Sequence, residues 1–330
     1  MTEHGMPLDF SGVACGDPRA ALAWQAQVLA EETARRSLRV VDVHDFLALD
    51  IPPREMVLGP WLPTQGLAMI HAARGTGKTN LALAIAYAVA SGGELLGWTA
   101  PRPRRVLYLD GEMLAAPLQD RLAGIVSTAS IGPETGMLHI LTPDLQPAGI
   151  PDLATPEGQH DLEAAIPSGT EFLIVDSLSS LVRGSGREND AESWLPVADW
   201  ALRQRVAGRT VLFLHHSGKC GQQRGTSKRE DLLDTVLALR KPNDGQTTSH
   251  ARFEIHIEKS RSVSEFVPLS VELLPQPVGG STWDYRALAE TTAERIAKMA
   301  ADGMSKREIA EELKLARSTV YRALARAENT

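Results

Sequence analysis

The sequence predicts an α/β protein: a central, mostly parallel sheet covered by helices on both faces, followed by a small all-α domain. Short apolar runs at 67–70, 106–109, 138–141, 172–175 and 211–214 alternate with helical stretches at 80–91, 118–127 and 194–207. Runs that are apolar on both faces fit strands buried between two helical layers, and their alternation with helices fits βαβ units. The last forty residues change character: eight Lys/Arg against six Asp/Glu make them the least acidic part of the chain.

The chain has 330 residues, about two domains at ~150 residues each. An apolar share of 43% with 23% charged residues is a globular composition and excludes a disordered chain. Lys plus Arg number 34 against 41 Asp plus Glu, a net charge of −7. A protein coated in positive charge for indiscriminate nucleic-acid binding is excluded; a local basic patch is not. Two cysteines, Cys15 and Cys220, make neither a disulfide framework nor a four-cysteine zinc site. The longest apolar run, 81–90, is half the ~20 residues that span a bilayer. The amino terminus lacks a basic and an apolar region of the leader type. The expectation is a soluble, cytoplasmic protein with no membrane partner.

Residues 1–60 read as an N-terminal extension packing on the next domain, Ala-rich with helical spacing over 20–38 until Ile51-Pro52-Pro53 breaks the pattern. Residues 61–283 form the α/β domain. After 214 the pattern changes: 234–240 reads as a strand, 252–258 alternates with Phe253, Ile255 and Ile257 on one face, and 267–273 follows. These are expected to be antiparallel additions at the sheet edge. Pro275, Pro277, Gly279 and Gly280 mark a change of segment, and 284–330 is the helical domain.

The strongest chemical signal is H-A-A-R-G-T-G-K-T, His71 to Thr79, after a strand and before a helix. Small residues let backbone N–H groups curl around phosphates, and the helix start adds partial positive charge. Ala73, Arg74, Gly75, Thr76, Gly77, Lys78, Thr79 and Asn80 are the expected nucleotide-binding residues. Lys78 reaches the β/γ-phosphates and Thr79 ligates Mg²⁺. Ala72 stands where the full G-x-x-x-x-G-K-[ST] pattern has its first Gly. An ordinary Gly-rich turn is the alternative, and the order of strand, loop and helix argues against it.

Two further strands end in acids. Phe172-Leu173-Ile174-Val175-Asp176 precedes Ser177, and beside Thr79 its Asp176 is the expected second Mg²⁺ ligand. Val106-Leu107-Tyr108-Leu109-Asp110-Gly111-Glu112 ends in two acids, with Glu112 the expected base for the attacking water; Asp110 as base, or a structural helix-start role for Glu112, is the rival. His215-His216-Ser217-Gly218-Lys219 ends the next strand, where a polar side chain can touch the γ-phosphate. A metal on His215, His216 and Cys220 is less favoured: only three ligands are at hand, and adjacent strand residues point to opposite faces.

The ordered set resembles the RecA-like hexameric ATPases of the DnaB and plasmid RepA helicase kind. It comprises the phosphate loop, D-G-E at Asp110–Glu112, I-V-D-S ending at Ser177, H-H-S-G-K, R-G-T-S from Arg224, L-D-T-V-L-A-L from Leu233 and E-K-S-R ending at Arg261. The resemblance spans about 60–273. It implies a RecA-like P-loop sandwich that hydrolyses ATP with Mg²⁺ as a hexameric ring on DNA, with other replication proteins as further partners. Glu112 then matches the catalytic glutamate, and His216, or less readily His215, the γ-phosphate sensor. Lys259 and Arg261 match basic residues that reach a neighbour's ATP; without the resemblance they read as a solvated strand end. The loop with Arg183 and Arg187 lies where such proteins face DNA. The 218–230 segment, with Lys219 and Arg224, is a second candidate, and plain solvation is the alternative for both.

The tail from Ala293 resembles the helix-turn-helix of resolvase and Hin-type recombinases. Ser305 and Glu308 form a capping box, and Ile309, Leu313, Val320 and Leu324 face inward at i, i+4. Arg317, Ser318, Thr319 and Arg322 then lie at the exposed start of the second motif helix, where side chains reach base edges and phosphates. A protein-docking module is the alternative. Three functions compete: a ring motor on DNA, a site-specific regulator that uses ATP as an assembly switch, and a small-molecule phosphotransferase. Neither the tail nor the E-K-S-R match suits the third.

Overall fold

The computed structural model describes residues 39–183, 191–216, 231–242, 248–261, 266–277, 279–288, 292–313 and 315–327. The chain divides into two units, Met1–Pro53 and Arg54–Thr330. In the first, helix α1 (Val43–Leu47) starts at Asp42, whose carboxylate accepts from the His44 amide at 2.8 Å. The helix expected over 20–38 lies outside the described residues.

The second unit opens with the pair β1 (Met56–Leu58) and β2 (Leu62–Pro63) and is built on a nine-stranded sheet. Six strands are mutually parallel: β3 (Leu67–Ala72), β6 (Val106–Asp110), β7 (Leu138–Leu141), β8 (Phe172–Asp176), β9 (Thr210–His216) and β10 (Thr235–Arg240). Three antiparallel strands extend one edge: β11 (Arg252–Ser260), β12 (Leu269–Pro275) and β13 (Ser281–Ala287). The order is β13-β12-β11-β10-β3-β9-β8-β6-β7. A small hairpin, β4 (Glu94–Leu95) with β5 (Trp98–Thr99), stands apart.

Period-two alternation divides the core into two layers. Ala68 and Ile70 of β3 face one layer with helix α2 (Lys78–Ser91); Leu67 and Met69 face the other with Trp194, Val197 and Trp200 of helix α6 (Ala191–Val206). The four residues 67–70 are thus all buried, which is why the run carries no polar alternation. α2 is apolar around most of its circumference, as a helix buried on several sides must be. In the second layer Phe213 meets the edges of Trp194 and Trp200, with ring centroids at 5.5 and 6.5 Å.

Three elements depart from the sequence reading. β10 was expected among the antiparallel additions, yet it pairs parallel with β3, Thr235 opposite Ala68. Its residues 235–239 are all buried, as an interior strand requires; the antiparallel edge begins at β11. The Pro/Gly cluster is the turn of a hairpin: the Gln276 amide donates to Gly280 O at 3.0 Å, and β13 follows in the same sheet. Helix α4 (Pro156–Ala165) had no clear apolar stripe and was missed; Thr155 caps it by accepting from the Gly158 amide at 3.1 Å. Helices α3 (Ala115–Thr128) and α5 (Leu178–Leu181) complete the layers.

The tail forms α7 (Thr292–Ala301), α8 (Lys306–Glu312) and α9 (Arg317–Ala327) around its own core, with Ile296, Ile309 and Val320 fully buried. The capping box is present in both directions: Glu308 N donates to Ser305 Oγ at 3.3 Å and Ser305 N to Glu308 Oε2 at 2.8 Å. No helix among the described residues is long and apolar enough to cross a membrane.

Candidate nucleotide and DNA sites

The carboxyl ends of β3, β9, β8 and β6 lie side by side, and the chemistry gathers there: Ala72 stands opposite His216, and Asp110 opposite Asp176. Such an edge is where open α/β sheets bind ligands. The phosphate loop turns from β3 into α2 through Gly75 and Gly77, both with positive φ. A Cβ on Gly77 would stand 2.7 Å from Ala251 Cβ and 3.2 Å from Phe253, so strand β11 closes on the loop from behind.

Lys78 begins α2, 5% exposed, with its ammonium on two loop carbonyls, Ala72 O at 2.9 Å and Ala73 O at 3.1 Å. Burial lowers its pKa to about 8, although Asp176 and Glu112 pull the other way. The Thr76 hydroxyl donates to Ala73 O at 2.8 Å and steadies the same turn. Ala73, Arg74 and Gly75 are exposed, Thr76 is buried, and Thr79 and Asn80 are half-buried on the first turn of α2. Alongside Asn80 opens a cavity of about 340 Å³, lined by Asp120, Arg121, Ile125 and Trp283 among others.

Asp176 is 5% exposed. Burial raises its carboxyl above the ordinary range, against hydrogen bonds from Tyr108, at 2.6 Å, and from Thr79. Asp110 is also raised by burial, but its oxygens are engaged in the turn: they accept from the amides of Glu112 at 3.2 Å and Met113 at 3.1 Å, and from Thr142 Oγ1 at 3.0 Å. That turn presents Glu112, whose side chain is 46% exposed. Its Oε1 accepts from Ser177 Oγ at 3.0 Å and lies 3.4 Å from His216 Nε2. His216 Nδ1 is buried with no partner among the described residues. His215, one residue earlier, pairs with His71 in register and by alternation turns to the other face.

A buried ammonium on neutral carbonyls, and a buried carboxylate beside a Thr hydroxyl at the start of a helix, fit a triphosphate with its magnesium. No group of three or more metal-ligating side chains occurs among the described residues. Two contributors escaped the sequence reading. Tyr108 reads there only as part of an apolar strand, and Ser177 only as the end of the I-V-D-S motif, with no role of its own; the pairing of β6 with β8 brings them to Asp176 and Glu112.

Lys259 and Arg261 are not brought to this edge. Lys259 stands opposite Val236 and Ser260 opposite Thr235, itself opposite Ala68. They therefore leave the sheet at the amino end of the parallel strands, about 13 Å along β3 from Ala72. Arg261 donates to the Asp231 carbonyl. The Arg183 guanidinium donates to the Ile150 carbonyl, and its amide donates to Asp152 Oδ1 at 2.9 Å. Arg187, Lys219 and Arg224 lie outside the described residues, as does the whole 218–230 segment. In the tail, Arg317, Ser318 and Arg322 are exposed and Thr319 is half-buried. Arg322 Nε donates to Ser318 O at 3.2 Å, and Lys306 Nζ lies 4.5 Å over the Tyr321 ring.

Sheet, loop and acidic strand ends together define a P-loop nucleotide-binding protein of RecA-like build carrying a helix-turn-helix. Residues 30–222 match the family model of the AAA domain, and the chain belongs to that family. Residues 286–326 match the helix-turn-helix domain of resolvase. None of the curated proteins compared with the chain matches it. Among solved structures, a KaiC-like protein from the hyperthermophilic archaeon Pyrococcus horikoshii is similar at 16% identity and a TM-score of 0.47, covering 68% of this chain and 92% of that one.

Proposed function

We propose that the protein is a Mg²⁺-dependent ATPase that works on DNA as a ring-forming motor of the plasmid or phage replication-helicase kind. The proposed division is an N-terminal extension over 1–60, the ATPase over 61–283 and the DNA-reading domain over 284–330. The carrying observation is the convergence of Lys78, Thr79, Asp176, Glu112 and His216 at one sheet edge.

In this reading the loop amides from Ala73 to Asn80 and the Lys78 ammonium hold the phosphates, and the recess beside Asn80 receives the base. Thr79 and Asp176 hold the magnesium, which supplies charge neutralisation on the phosphate oxygens. Glu112, presented by the Asp110 turn and oriented by Ser177, takes the proton of the attacking water. His216, against Glu112, senses the γ-phosphate. Lys259 and Arg261 stabilise the transition-state charge in a neighbouring subunit. Their exit at the far end of the sheet supports that assignment, since it keeps them from their own loop. Arg183, Arg187, Lys219 and Arg224 contact DNA in the motor, and Arg317, Ser318, Thr319 and Arg322 read a target. A cytoplasmic hexamer with other replication proteins as partners completes the proposal.

The resolvase-type tail favours a second reading, a site-specific regulator whose ATP cycle switches assembly. Strand displacement assayed beside DNA-stimulated hydrolysis separates the two. A motor gives both; stimulation without displacement leaves the regulator; neither sinks the motor.

A further inference from the structure

The pairing of β10 with β11 slips by one residue. Val236 faces Lys259 but Leu237 faces Ile257, which leaves Glu258 as the extra residue of a bulge. A bulge re-aims a side chain, and this one sends a carboxylate across β10 to the strand of the phosphate loop. Glu258 Oε2 lies 2.7 Å from His71 Nε2, while Oε1 accepts from Arg240 Nη2 at 3.0 Å. The His71 hydrogen bond holds the carboxyl well below its ordinary range, at about 2. His71 is 3% exposed on a central strand, where an apolar side chain would pack without needing a partner. It immediately precedes Ala72, whose carbonyl, with that of Ala73, carries the Lys78 ammonium. Lys259 immediately follows Glu258 and Arg261 comes two residues later. At its other end β11 presses Phe253, with the preceding Ala251, against Gly77.

We propose that His71, Glu258 and Arg240 are positioning residues that couple the phosphate loop of one subunit to the cations it extends toward the next. The proposal rests on the trans role given above to Lys259 and Arg261. Lys78 has two alternative sets of partners, the loop carbonyls seen here or phosphate oxygens. When phosphate draws the ammonium away, the Ala72–Ala73 turn is freed and His71 moves with it. Glu258 receives that movement because a bulged residue is not held by the ladder of hydrogen bonds. The reach of Lys259 and Arg261 then depends on whether their own subunit is loaded, which makes hydrolysis around the assembly cooperative.

The test uses the full-length chain, ATP hydrolysis as a function of ATP concentration, and calorimetric titration with a non-hydrolysable ATP analogue and Mg²⁺. Wild type is expected to hydrolyse with a Hill coefficient above 1. Glu258→Ala is expected to bring it to about 1, the value for independent sites, with analogue affinity kept within about threefold. Arg240→Ala, at a side chain 55% exposed where truncation spares the core, is expected to move it the same way. His71→Gln, which keeps a donor toward Glu258, is expected to retain cooperativity. An unchanged Hill coefficient in both alanine variants overturns the coupling. So does a loss of analogue affinity above about tenfold with cooperativity intact, which marks a local structural role. Mixing wild-type with Arg261→Ala subunits tests the underlying reading separately. Activity falling faster than the wild-type fraction supports trans action, and a proportional fall removes that reading and the coupling together.

Discussion

Lys78 places an ammonium where water cannot solvate it and gives it only neutral carbonyls to hold. The sign of its pH linkage follows. Its folded pKa of about 8 lies below the ~10.4 of an unfolded lysine. Between those values the unfolded chain binds more protons, so nucleotide-free stability rises with pH across that window. Lys78→Met should flatten the rise in thermal melts taken along a pH series. Phosphate oxygens favour the charged form, so nucleotide binding above the folded pKa should take up protons, read as a buffer-dependent binding enthalpy. Glu112→Gln should keep nucleotide binding and slow turnover by at least ~10²-fold if the carboxylate is the base; rapid-quench assays measure it, and near-normal turnover moves the role elsewhere. Much at this scale was legible, because Gly-Lys-Thr and the strand-terminal acids are set by chemistry and spacing. The choice between His215 and His216 was not, since alternation says only that they diverge. The Ala72–His216 register puts the second beside Glu112.

Among the elements, those with a continuous apolar run were legible almost to the residue. The strand expected at 138–141 is β7 as found, and 106–109 and 172–175 gain only the terminal aspartates. Elements lacking a one-sided pattern were not: β13 reads S-T-W-D-Y-R-A, and its residues are mostly exposed. The parallel pairing of β10 was hidden because strand direction depends on which neighbour the chain returns to. Strand β11 has a role no motif announces, as the backing of the phosphate loop. Gly77→Ala should therefore be disabling twice over, through φ +111 and through the 2.7 Å approach to Ala251. A melting temperature lowered by several degrees together with lost nucleotide binding is expected; a variant unchanged in both would show that the loop does not need this close approach.

For the whole molecule, the sheet sets the phosphate loop at one end of its parallel strands and Lys259 with Arg261 at the other; the proposed trans role of the two cations is tested at this scale. Arg261→Ala should abolish hydrolysis while sparing nucleotide binding, and full activity in a dilute, strictly monomeric sample would contradict a trans role. The helical tail has its own core and its own capping box. Deleting 291–330 should remove site-specific DNA binding, measured by competition against random DNA, and leave basal hydrolysis intact; an unchanged DNA preference would make the tail a protein-docking module. The central claim is that a magnesium triphosphate binds where Lys78, Thr79 and Asp176 converge. Calorimetric titration with a non-hydrolysable ATP analogue tests it most directly. Saturable binding that requires Mg²⁺ and is lost in Lys78→Ala is the expected result. Absence of binding in the wild-type protein, or equal binding in the variant, would contradict it.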